Sequence, residues 1–290
     1  MKTFYENPDG TVRKEVLTHG KIVNKPMEGS ICYLTIKNLE VVPPNSLDVM
    51  TLNSGILIGR SEVCFTVDET LSEVDQQIEK AIRWMGEGEV AAISINLPSL
   101  PRNEEFHVTI KFIATLTKII PFKPMWEWTP EEKYERSLRY KEIAVCLINA
   151  GRIKDAFHRF SKACKIIISM EPIDPDLELP EELLKKIQVL RTSLYNNMAM
   201  CQLKYDNYEH AIDLCTKVLQ RDENNVKALY RRGCAYGGLK NLEKAVADFQ
   251  RAVEIEPNNT AAKEKLRIYG EKWRIMKKES NDMVKRMFKS

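Results

Sequence analysis

The feature that most constrains this chain is a pattern of small and large residues that returns in three registers. Counting from Val226, Leu229, Gly233, Tyr236, Ala245, Phe249, Ala252 and Pro257 fall at positions 4, 8, 11, 20, 24, 27 and 32 of a 34-residue unit. Starting at Thr192, the same roles are taken by Tyr195, Ala199 and Ala211; starting at Ser137, by Tyr140, Ala144, Ala156, Phe160 and Ala163. Small residues at fixed positions let two antiparallel helices approach closely, and the large ones fill the space between neighbouring pairs. Each unit leaves an apolar face that only the next unit covers, so this part of the chain must be a stack of helical hairpins. The second and third registers lie 34 residues apart and the first two lie 55 apart. The excess falls on Met170 to Lys185, where Pro172, Pro175 and Pro180 predict a loop and a lengthened helix.

The pattern is that of the tetratricopeptide repeat, with repeats over about 137–170, 192–225 and 226–259. Three repeats are about the minimum for a stable stack. Ala261 to Lys289 supplies a further helix, with Leu266, Tyr269, Trp273 and Met276 as an apolar stripe at helical spacing. This helix caps the stack; with ten basic residues against four acidic ones from Lys263 to Lys289, it also fits a basic amphipathic target.

The first ~120 residues have the other period. Runs such as Ile31–Ile36, Val63–Val67 and Phe106–Ile110 alternate apolar and polar residues, as half-buried strands do. One helical stretch interrupts them, from about Ser72 to Met85, and stops at Gly86 and Gly88. The expected fold class is therefore an α+β domain (antiparallel sheet with one helix) over 1–120, a proline-rich linker over 121–130, and an all-α repeat domain over 131–290.

Other chemistries find no support. There is no Gly-rich phosphate loop with a lysine, no G-x-S-x-G and no H-E-x-x-H. The four histidines and seven cysteines have no metal-ligand spacing, so neither metal nor cofactor is expected and the thiols read as reduced. With 44 basic against 41 acidic residues, nothing demands nucleic acid, and no apolar run reaches the ~18 residues of a membrane span. The opening residues carry no signal core, so the expected location is cytoplasmic, with the nucleus open as well.

The first helix of each hairpin lines the concave side of such a stack. Those helices present Lys141 in the first repeat, Asn197 in the second, and Lys227 with Arg231, one turn apart, in the third. Cations and an amide converging in one groove suit carboxylates. The plainer reading is solvated surface charge.

The segments Asn197–Cys201, Lys227–Gly233 and Asn241–Ala245 resemble the tetratricopeptide domain of the FKBP-type immunophilins, including its divergent, non-catalytic members, over roughly Glu131 to Phe288. The resemblance implies a dicarboxylate clamp for the terminal Met-Glu-Glu-Val-Asp of heat-shock protein 90, or the tail of the 70-kDa class. Lys141, Asn197, Lys227 and Arg231 match its positions. The fifth is Val145, which removes one donor. Calmodulin is implied for the basic C-terminal helix of some relatives.

Asp9–Leu17 and Ala81–Glu89 similarly resemble strand and helix segments of the FKBP prolyl-isomerase domain. Its aromatic pocket does not carry over. Ile78 stands at the position of the pocket Trp, Asp75 replaces an Ile, and Gln76-Gln77 replace a Pro-Gly pair. The aromatic loop is reduced to Asn96–Asn103. Trp84 is expected to pack in the core or at the domain contact rather than replace the lost aromatic. The expectation is a non-catalytic co-chaperone, with an unknown client or second protein on the N-terminal domain. Two alternatives stand beside it: a repeat scaffold for another partner, such as germline small-RNA pathway relatives use, and a weak peptidyl-prolyl isomerase.

Overall fold

The computed structural model describes residues 4–21, 25–42, 54–57, 62–97, 108–170 and 179–287. They divide into two compact units, Met1–Glu127 and Trp128–Ser290.

The first unit is one sheet of six antiparallel strands: β1 (Phe4–Glu6), β2 (Val12–Thr18), β3 (Ile31–Val42), β4 (Val63–Thr66), β5 (Val90–Leu97) and β6 (Val108–Ile120), in the order β1-β2-β5-β6-β3-β4. Alternation decides which face is buried: Ala91, Ile93 and Ile95 of β5 and Ile110, Phe112 and Ala114 of β6 face one way, into the core. Helix α1 (Glu73–Ile82) packs there through Val74, Ile78, Ala81 and Ile82. Ser72 caps it by accepting from the Asp75 amide at 3.0 Å.

Strand β1 was not expected, and Trp84 does not take the core placement that was one of the two expected for it. β1 is three residues long, too short for alternation to show. Trp84 is not in the core: it lies beyond the end of α1, 48% exposed, stacked on Tyr5 at 4.7 Å with the Lys25 ammonium over its ring. The interior behind it is taken by Lys14, whose ammonium donates to the Trp84 carbonyl at 2.9 Å and pairs with Glu89 at 2.7 Å. An indole displaced inward would strand that buried pair. The turn past the helix needs glycine at 86, since a Cβ there would meet the Lys21 carbonyl oxygen at 2.2 Å.

The second unit is seven helices: α2 (Pro130–Asn149), α3 (Ile153–Ile168), α4 (Glu181–Lys204), α5 (Tyr208–Leu219), α6 (Val226–Gly238), α7 (Leu242–Ile255) and α8 (Thr260–Met287). Each packs on the next along the chain, and α2 also meets α4, as α4 meets α6. The first helices of the hairpins thus lie side by side. Gly151, Asp206 and Lys240, in the turns inside the three hairpins, all take positive φ (78°, 57° and 60°), at the 55- and 34-residue spacings of the repeat registers. A left-handed residue closes each turn, whatever its side chain. The small positions are filled as the pattern requires: a Cβ on Gly233 would sit 2.9 Å from the fully buried Phe249 ring.

The loop half of the expected insertion, 171–178, lies outside the described residues; its helical half is the 24-residue α4. Of the stripe on α8, Tyr269 packs on Phe249 at 5.5 Å, and Leu266 and Trp273 are half-buried. Met276 is exposed, because α7 ends before it can be covered, and the helix continues to Met287 with Met283 and Met287 also exposed.

Candidate functional site

Helices α2, α4 and α6 carry the four clamp candidates. On α6, Arg231 and Arg232 are neighbours with opposite fates. Arg232 donates to both oxygens of Asp248 on α7, at 2.8 and 2.7 Å, and its charge is matched inside the hairpin. A rotation of about 100° per residue turns Arg231 away from that pair and toward α4. There one guanidinium nitrogen donates to the Asn196 backbone carbonyl at 2.7 Å. Arg231 is half-buried and takes part in no ion pair among the described residues. Burial therefore pulls its pKa below the ordinary guanidinium value, with only the weak opposing influence of the Cys215 and Cys201 thiols. A half-buried cation without a counter-charge has unmet capacity for an anionic partner.

Lys227 stands one turn before Arg231, exposed and likewise without an ion pair among the described residues. Its turn is held by Asn225, whose side chain caps α6 by accepting from the Ala228 amide at 3.0 Å. Asn197 is half-buried on α4, next to the residue that receives Arg231. Arg231 thus bridges α6 to α4 through Asn196, and Lys227 and Asn197 lie on those same two helices. Lys141 is not bonded to them. It lines a cleft of about 350 Å³ between α2 and the early turns of α4, with Tyr134, Leu138, Lys185, Lys186 and Leu190 among its walls. Val145, one turn beyond Lys141, is exposed and offers no donor.

Sequence reasoning missed Asn196 and Asn225, whose side chains bond to each other at 3.2 Å. The doubled asparagine on α4 and the asparagine opening α6 were the available signals; which of two adjacent amides faces which helix is a matter of packing.

In the N-terminal unit, the residues at the positions that the isomerase resemblance assigns to a pocket are engaged in the core or in hydrogen bonds. Ile78 is fully buried in the core. The Asp75 carboxylate accepts from the Ser54 hydroxyl at 2.5 Å and from the Gly55 amide at 2.8 Å, and this draws Ile56 and Leu57 into the core. Gln76 and Gln77 are spent on Thr70 and Thr11. Most of the expected aromatic-loop remnant, 98–103, lies outside the described residues. The described residues contain no cluster of His, Cys, Asp or Glu able to hold a metal ion, and no helix long and apolar enough to cross a membrane.

Comparison with known proteins agrees with both halves. A family model described as BDBT FKBP like N-terminal matches residues 5–121, and the tetratricopeptide repeat model matches 226–259. Human peptidyl-prolyl cis-trans isomerase FKBP4 is 28% identical over 292 residues, covering 98% of this chain and 59% of its own length. Human FK506-binding protein-like is 30% identical over 261 residues, covering 89% of this chain and 65% of its own. The chain thus spans roughly three fifths of the length of the curated relatives it matches. The crystal structure of residues 1–211 of CG17282 superposes with a TM-score of 0.57 at 23% identity, over 72% of this chain and 97% of that one, a likeness of fold.

Proposed function

We propose, on the premise that this chain joins an FKBP-like domain to tetratricopeptide repeats in the manner of the FKBP-type immunophilins, that it is a non-catalytic adaptor whose groove takes the acidic C-terminal peptide of a heat-shock chaperone. The observation that carries the reading is the half-buried guanidinium of Arg231, aimed across the α4–α6 seam and matched by no carboxylate among the described residues. A terminal carboxylate with a neighbouring aspartate side chain would engage Arg231, Lys227 and Asn197, with Lys141 closing the site from α2. Each charge-assisted bond contributes about 1.5–3 kcal/mol.

Calorimetric titration with free-acid Met-Glu-Glu-Val-Asp, and with its C-terminal amide as control, tests this. The expected result is binding of the acid alone, weakened by added salt because exposed Lys227 is screened. Equal binding of acid and amide, or affinity indifferent to salt, refutes the clamp.

The absence of catalysis in this proposal rests on the residues that stand where the resemblance puts the pocket. Prolyl isomerisation requires a desolvated cavity that holds a twisted bond, and the core burial of Ile78 and the hydrogen-bonded Asp75 carboxylate, at positions the resemblance assigns to that cavity, support this reading. The N-terminal unit is then free to carry a client or second protein, in the cytoplasm. For α8, the exposed Met276, Met283 and Met287 share one face of a helix rich in Lys and Arg, which favours calmodulin as a second partner. Calcium-dependent co-elution tests it.

A further inference from the structure

Lys227 and Arg231 are one helical turn apart, and a single residue of α4 touches both ends of that turn. The backbone carbonyl of Asn196 accepts from the Arg231 guanidinium at 2.7 Å. Its side-chain amide donates to Asn225 Oδ1 at 3.2 Å. That same oxygen caps α6 by accepting from the Ala228 amide at 3.0 Å, and Asn225 donates in turn to Asp222 at 2.9 Å. The first turn of α6, which bears Lys227, is therefore tied to the residue that orients Arg231.

Stability alone does not account for an amide here. Asn196 is 6% exposed, and its Oδ1 is buried with no hydrogen-bond partner among the described residues. A buried carbonyl left unmatched costs stability, and an apolar side chain of similar volume would avoid that cost. What the amide supplies is the bond it donates.

We propose that Asn196 is the positioning residue of the clamp, holding the α6 turn and the Arg231 guanidinium in the spacing that a carboxylate pair requires. This rests on the proposed function. Lys and Arg each carry large rotamer freedom, and ordering them before the ligand arrives lowers the cost of binding. The residue touches no ligand; it acts through Arg231 and Lys227.

The test uses the full chain and the free-acid Met-Glu-Glu-Val-Asp peptide, titrated at a temperature where every variant retains its far-UV spectrum. Asn196→Ala removes the amide, and Asn196→Asp keeps the size but cannot donate to Asn225 Oδ1. Asn225→Ser keeps a good helix cap while shortening the acceptor away from Asn196. Each is expected to weaken binding by about 3- to 10-fold, the factor associated with fixing one rotamer-rich side chain in advance. A merely structural role would lower the melting temperature and leave the low-temperature affinity unmoved. Should Asn196→Ala fail to fold, Asn225→Ser, at a half-buried position outside the core, carries the test. Wild-type affinity in the folded variants, while Arg231→Ala abolishes binding, overturns the positioning role and leaves the clamp standing. Wild-type affinity in Arg231→Ala overturns the clamp itself, and the positioning role with it.

Discussion

Replacing each of two adjacent arginines by alanine should give opposite phenotypes. Arg232 makes two bonds to Asp248, whose side chain is 8% exposed, while its own is 22% exposed. Breaking a fully buried pair costs about 3–5 kcal/mol. Partial exposure of the guanidinium lowers this to about 2–3 kcal/mol, most of it from leaving Asp248 charged and unmatched. Arg232→Ala should therefore shift the urea midpoint strongly downward. Removing Arg231 loses one bond to a backbone carbonyl but also relieves the desolvation cost of a cation that burial disfavours. The two effects oppose, so stability should change by no more than about 1 kcal/mol. Binding should behave in the reverse way: loss of one or two charge-assisted bonds at about 1.5–3 kcal/mol is a fall of about 10- to 150-fold or more. Urea denaturation followed by far-UV circular dichroism, paired with peptide titration, reads both quantities on the same samples. If Arg231→Ala proves the destabilising change, or Arg232→Ala abolishes binding without altering stability, the division of roles between the two is wrong.

Val145→Asn should return a donor to the exposed face of α2 and tighten acid-peptide binding by about 3- to 10-fold, measured by calorimetry. Gly233→Ala should destabilise the repeat unit by about 1–3 kcal/mol in urea, because overpacking against the immovable Phe249 outweighs the ~1 kcal/mol gain in helix propensity. Iodoacetamide at pH 8 should label exposed Cys64 and Cys146, while Cys32 and Cys215, pushed up to about 12 by burial, and Cys201, pushed up to about 11, resist until the chain unfolds; mass spectrometry of the peptides decides. Because these thiols have raised values in the folded state, their contribution is complete below the ordinary thiol range and lost as pH climbs from about 9 toward 11–12. The urea midpoint should accordingly fall between pH 7.5 and pH 10.

The sequence by itself determined the repeat stack. Gly233, Ala245 and Ala252 sit where only small side chains fit between Phe249, Tyr230 and the facing helices, and that steric demand is local and periodic. The antiparallel domain was likewise legible, because alternation in the runs that became β3, β4 and β6 is the direct image of a sheet buried on one face. The sequence placed Asn197 on the first helix of the second hairpin and Lys227 and Arg231, one turn apart, on that of the third, where α4 and α6 carry them. What only the tertiary structure decided depends on contacts between elements far apart in the chain. The repeat register sets Arg231 and Arg232 on different faces of α6, but not what each meets there; the carboxylate of Asp248 takes Arg232, and the carbonyl of Asn196 on another helix takes Arg231. Trp84 was legible as a large apolar residue, but Lys14 from β2 and Glu89 from just before β5 had already filled the space behind it. Asp75 looked like a lost pocket residue, and only the fold shows Ser54 and Gly55 bonded to it. Periodicity reports which face of an element is buried, and the identity of the neighbour that buries it is set by the packing of the whole domain.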